Sequence, residues 1–132
     1  MGFRGEKIDY FAFPHIDIND AKLINHNSYL KTVLKKVQPD IVHIFGTEFA
    51  HSLAMVNVCN ELGIKTVINI QGLVSVIEKH YLANLPTNVQ KRFTFRDFIK
   101  QDNILQQKKD FKKRGLMEIE AIQKTTHVLG RT

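Results

Sequence analysis

Between Asp40 and Ile70 the chain reads as a short apolar strand, a helix and a second apolar strand. Asp40-Ile41-Val42-His43-Ile44-Phe45 and Lys65-Thr66-Val67-Ile68-Asn69-Ile70 are rich in β-branched residues and largely apolar. That pattern marks strands buried on both faces, as in a parallel sheet. Phe49 to Leu62 is apolar on most sides, and Gly63 supplies the residue type that ends a helix in the left-handed conformation. The whole span has the length of a βαβ unit, about thirty residues. Its crossover is expected to be right-handed, with parallel strands.

The rest of the chain repeats the alternation. Lys7 to Phe13 reads as a strand stopped by Pro14. Asp20 is a candidate cap for a helix over Ala21 to Val37, in which Leu23, Ile24, Leu30, Val33, Leu34 and Val37 recur at helical spacing before Pro39. Gly72 to Pro86 is less regular. Lys91 to Lys113 is helical in composition, but Phe93, Phe95, Phe98, Ile99, Ile104, Leu105 and Phe111 form no single stripe. Leu116, Ile119 and Ile122 mark a last helix, and Thr126 to Gly130 a last strand. The expected fold class is α/β: a Rossmann-like parallel sheet with helices on both faces. A length of 132 residues suits one domain, 1–132. About four strands are few for a doubly wound sheet, so the domain is expected to be incomplete.

Composition narrows the classes. Apolar residues make up 43% and charged residues 24%, the balance of a globular chain. Cys59 is the only cysteine, which excludes an internal disulfide and points to a reducing compartment. It falls in an apolar helical run, where a buried inert thiol is expected. The N-terminal residues lack the apolar core of a signal peptide, and no apolar run reaches the ~20 residues of a membrane span. His15, His26, His51 and His127 show no ligand spacing with one another or with Cys59, so no metal site is expected. His43, inside an apolar strand, reads as a core histidine. GxGxxG, P-loop, GxSxG and Asp-x-Asp patterns are all missing from the sequence.

The net charge of +6 is concentrated. Asn88 to Arg114 holds nine Lys/Arg against three Asp, and the remainder is about neutral. Such a segment is a solvated face, a surface for anionic lipid headgroups, or a nucleic-acid contact. Its aromatics are all Phe, without an RNA-binding signature, so nucleic acid ranks last.

Ligands of open parallel sheets bind beyond the carboxyl ends of the strands. Those ends are Gly46-Thr47-Glu48 and Gln71-Gly72-Leu73. Glycine admits close backbone approach. Thr47, with the free amides of the next helix, can hold sugar or phosphate oxygens, and Glu48 can accept from hydroxyls or act as a base. Helix capping by Thr47 and Glu48 is the competing reading. Gln71 can bind hydroxyls but moves no protons, and can equally be a turn residue. His80, with Glu78 and Tyr81 in the region that follows, can titrate near neutrality or simply be solvated.

The run Gln38-Pro39-Asp40-Ile41-Val42-His43-Ile44-Phe45-Gly46-Thr47-Glu48 resembles the "PD-x-[IV]-H" strand and following loop of family 4-type glycosyltransferases of GT-B fold. The likeness continues through Ile70-Gln71-Gly72-Leu73, His80-Tyr81, Leu85-Pro86, Arg96-Asp97, Arg114-Gly115, Glu118 and Leu129-Gly130-Arg131-Thr132. It spans about Lys31 to Thr132 and is nearest to bacterial enzymes of capsular or surface polysaccharide synthesis.

The resemblance implies the acceptor-side, N-terminal domain of an enzyme that moves sugar from a nucleotide-sugar to a glycan or lipid-linked acceptor. The nucleotide-sugar is then a donor substrate held mainly by a second, C-terminal domain with a Glu-x7-Glu motif, a spacing that no two glutamates here have. No cofactor or metal is implied. Gln71, His80 and Glu48 become the candidate catalytic residues, and Gly46, Thr47, Gly72, Arg131 and Thr132 the candidate substrate-binding residues. Many members of the family carry a His-Gly or similar pair where Gln71-Gly72 stands. Glutamine cannot serve as a base, so its role would be to steady the reacting sugar, with His80 as the alternative. The family also favours a cytoplasmic location, peripheral on the inner face of the membrane through the basic segment, with no nucleic-acid partner. The competing expectation is a non-catalytic, flavodoxin-like α/β binding module.

Overall fold

The computed structural model describes residues 2–4, 8–13, 24–100 and 103–130. The proposed cap Asp20, the helix start at Ala21 and the candidate site residues Arg131 and Thr132 lie outside the described residues. The elements run β1 (Gly2–Arg4), β2 (Asp9–Phe11), α1 (Ile24–Val37), β3 (Ile41–Phe45), α2 (Ala50–Leu62), β4 (Lys65–Asn69), α3 (Val74–His80), α4 (Thr87–Gln90), α5 (Phe95–Lys100), α6 (Ile104–Lys124) and β5 (His127–Leu129). The fold is α/β. Strands β3, β4 and β5 form one parallel sheet in that order, with Ile44 beside Ile68 and Ile68 beside Val128.

One face of the sheet is the core. Ile44 and Ile68 meet Leu53 and Val56 of α2 and Ala121 of α6. A second cluster joins Leu30 and Leu34 of α1 to Ala54, Val58 and Cys59 of α2. Burial pushes the Cys59 thiol up to about 11, as expected of an inert core thiol. Gly63 ends α2 with a φ of 69°, and the Ile64 N–H reaches back to the Cys59 carbonyl.

The other face departs from expectation. Side chains alternate across a strand, and Ile41, His43 and Phe45 of β3 all point outward and are exposed. The helices of both crossovers, α2 and α6, pack on the opposite face, so among the described residues no element buries this one. The strands are therefore buried on one face rather than two, and helices do not line both faces. His43 is not a core histidine; its ring lies against Phe45, with centroids 4.2 Å apart.

The first strand also differs. Instead of extending the parallel sheet, β2 pairs with β1 in a separate antiparallel sheet, Phe3 opposite Tyr10. The Tyr29 hydroxyl of α1 donates to the Ala12 carbonyl just beyond β2, at 2.5 Å.

The irregular stretch Gly72 to Pro86 contains α3, and the short helices α4 and α5 follow it. Thr94 and Asp97 cap α5 reciprocally, with the Thr94 N–H on the Asp97 carboxylate at 2.8 Å and the Asp97 N–H on Thr94 Oγ1 at 3.3 Å. Asn103 opens α6 by accepting from the Gln106 N–H at 2.9 Å. The expected helical stretch Lys91 to Lys113 thus divides between α5 and the first half of α6, whose 21 residues continue through the last expected helix. Among the described residues no helix is long and apolar enough to cross a membrane.

Candidate functional site

The carboxyl ends of β3 and β4 lie side by side because the two strands pair in register to their last residues, Phe45 beside Asn69. The ladder runs on past the strands: the Gly46 N–H bonds the Asn69 carbonyl and the Ile70 N–H the Leu129 carbonyl, both at 2.9 Å. Gly46 has a φ of 82°, a left-handed conformation that glycine adopts without the strain a Cβ would bring. This turn folds the half-buried Glu48 back, its Oε2 lying 3.5 Å from where a Cβ on Gly46 would stand.

Thr47 is fully buried, contrary to its reading as a ligand contact. Its hydroxyl donates to Glu118 Oε2 of α6 at 2.7 Å and lies 3.4 Å from the Gly72 carbonyl. Helix capping is not its role either: Phe49 is the N-cap of α2, and no side chain caps that helix. Thr47 instead ties the two strand tips to α6.

Glu118 is the organising group. Besides Thr47 it accepts from the Val74 N–H at 2.9 Å, the Ser75 N–H at 3.0 Å and the Ser75 hydroxyl at 2.7 Å. It therefore satisfies first-turn amides of α3 that would otherwise be orphaned and complements the positive end of that helix. Burial by itself would raise its pKa, but the donors from Ser75, Thr47 and Val74 outweigh that and hold the carboxyl below its ordinary value. A buried charge surrounded by donors in this way serves architecture.

The remaining candidates divide. Gln71 is exposed at the second tip. Gly72 has no atom within 4 Å of an added Cβ, so its surroundings are open. These two share one edge of the sheet with Glu48, whereas Gly46 is buried, its N–H on the Asn69 carbonyl and its carbonyl accepting from Ser52 Oγ at 3.0 Å, contrary to its reading as a substrate contact. His80 does not join them. It is the exposed last residue of α3 rather than part of a loop, and a seven-residue helix beginning near Gly72 carries it about 10 Å onward.

Sequence reasoning gave Glu118 no role. A signal was present: Gly115, Glu118 and Ala121 recur every third residue and form the buried stripe of α6, so the glutamate interrupts an otherwise uncharged face. Comparison with protein-family models, curated proteins and solved structures finds no match to this chain.

Proposed function

We propose that this chain is the acceptor-side domain of a glycosyltransferase that moves a sugar from a nucleotide-sugar to a glycan or lipid-linked acceptor. The observation that carries the reading is the edge formed by Glu48, Gln71 and Gly72. Accessible hydrogen-bonding groups and open backbone stand there over a base clamped by the Thr47–Glu118 contact. Glu48 accepts from sugar hydroxyls, and the Gln71 amide both donates and accepts, which suits a polyol. The resemblance of the Gln38 to Glu48 and Ile70 to Leu73 runs to family 4-type enzymes supports the same reading. In this reading a second domain outside these residues binds the nucleotide-sugar. The basic segment rests on an anionic membrane surface that presents the acceptor.

A binding module without catalysis is the second reading. It is favoured by one fact: Glu118, the fully buried acid beside the tips, is consumed by structure. A transfer assay separates the two, with the complete reading frame incubated with a panel of nucleotide-sugars and a lipid-linked acceptor. Transfer that falls about tenfold or more in Gln71→Ala and Glu48→Gln supports the enzyme. Absence of transfer from every donor, or rates unmoved by both changes, would leave the binding module.

A further inference from the structure

One turn before Glu118, Arg114 occupies an unusual setting. Its guanidinium lies 5.5 Å from the Phe111 ring centroid and 5.9 Å from that of Phe49. Phe49 directly follows the first strand tip. The Arg114 Nε is buried and has no hydrogen-bond partner. Asp110, four residues earlier on the same helix, is at the spacing at which Asp and Arg usually pair. Instead, Asp110 Oδ1 accepts from Gln106 Nε2 at 3.2 Å, and no ion pair joins Arg114 to a described carboxylate.

Arg114 lines an open cleft of about 310 Å³ together with Tyr81, Gln107, Asp110 and Phe111. The Tyr81 hydroxyl donates to Gln107 Oε1 across it. The Tyr81 and Phe111 rings pack with centroids 4.9 Å apart and form its apolar wall.

Orphaned buried donors are rare because each gives up its hydration with no partner in return. An arginine held against two aromatic faces is fixed in orientation, and its planar fork of donors matches an oxyanion. Asp110 in the same cleft disfavours a bare anion but accepts from hydroxyls. The ligand must therefore carry negative charge at one end and hydroxyls at the other.

We infer that the Arg114 cleft binds a sugar bearing a phosphate or carboxylate group, with Arg114 on the oxyanion and Asp110 on the hydroxyls. The anion site stands on its own geometry. Its identification as the acceptor's seat rests on the acceptor-domain reading, and implies an anionic acceptor.

The test follows the Arg114 Nε–Hε resonance of the 132-residue chain by NMR during titration with glucose 6-phosphate, glucuronate, glucose and inorganic phosphate. A saturating shift with glucose 6-phosphate, glucuronate or both is expected, and which of them acts identifies the oxyanion. Glucose should be without effect. Arg114→Gln should weaken binding about tenfold or more, the loss of a charge-assisted contact; Arg114→Lys should fall between, and Arg92→Gln on the exposed basic segment should match wild type. No shift with either charged sugar, an equal shift with glucose, or equal affinity in Arg114→Gln would overturn the inference. Inorganic phosphate binding as tightly as glucose 6-phosphate would overturn the sugar half of it. Because binding is read without turnover, a chain that passes this test while the complete reading frame transfers no sugar would refute the enzyme reading alone.

Discussion

At the residue scale, Glu118 decides whether the site exists. Four donors converge on its carboxylate: the Thr47 and Ser75 hydroxyls and the Val74 and Ser75 amides. Glutamine at this position has the same shape but presents its own N–H groups to some of those donors. Glu118→Gln is expected to cost about 3 kcal/mol at neutral pH, the range for losing charge-assisted bonds and burying unsatisfied donors, measured by urea denaturation. The pH dependence has a definite sign. The folded-state pKa of Glu118 is lowered, so its contribution is complete above the unfolded value of about 4.3 and disappears as pH falls through the lower folded value. The stability gap between wild type and Glu118→Gln should thus be constant from neutrality to about pH 5 and narrow below about pH 4. A gap that widened on acidification would contradict the assignment. The glutamate on the small-residue stripe of α6 was legible in the sequence, but its partner was not: Thr47 and Glu118 are 71 residues apart, and neither residue type declares such a partner.

At the scale of elements, the βαβ core was legible because its signals are local. A helix ended by Gly63 and two short β-branched runs each act within a few residues. The register of elements with no apolar stripe of their own was not. Gly115 lies inside α6, at the point where α3 approaches: a Cβ on residue 115 would come within 2.9 Å of Ser75 Cα. Gly115→Ala therefore sets helix propensity, which favours alanine by about 1 kcal/mol, against a backbone overlap that costs about 1–3 kcal/mol. The overlap should win, lowering the melting temperature and loosening the Ser75–Glu118 contacts; a rise in melting temperature would show that α3 yields freely. The sheet misled in a different way. Ile41 and Ile68 look alike in sequence, but one is exposed and the other fully buried. Ile68→Ala should cost about 2–5 kcal/mol, whereas Ile41→Thr should change stability by less than about 0.5 kcal/mol. Comparable losses in denaturant midpoint would mean that the outer face is covered after all.

Across the whole molecule, the chemistry of the surface is uneven, and the basic segment is its most distinctive part. A merely solvated basic face would show charges and little else. Here Phe95 is 79% and Phe98 is 68% exposed on α5, beside Arg96 and Lys100, and Phe93 and Ile99 are exposed with them. Arg114 is turned away into its cleft against Phe111 and Phe49 and contributes little to this surface. Exposed aromatics among cations fit an anionic bilayer better than water, since cations near such a surface are worth about 1 kcal/mol each while apolar rings enter the headgroup boundary. Sedimentation with phosphatidylserine-containing vesicles should accordingly show binding that weakens as salt rises, with a residue that survives high salt. The double change Phe95→Ser and Phe98→Ser should abolish the salt-resistant part and spare most of the low-salt part. Arg96→Gln with Lys100→Gln should do the reverse. Neutral phosphatidylcholine vesicles should bind weakly. Equal binding to both vesicle types would remove the charge argument. Stronger retention by single-stranded RNA, with steep salt dependence and no effect of the Phe changes, would assign the segment to nucleic acid instead.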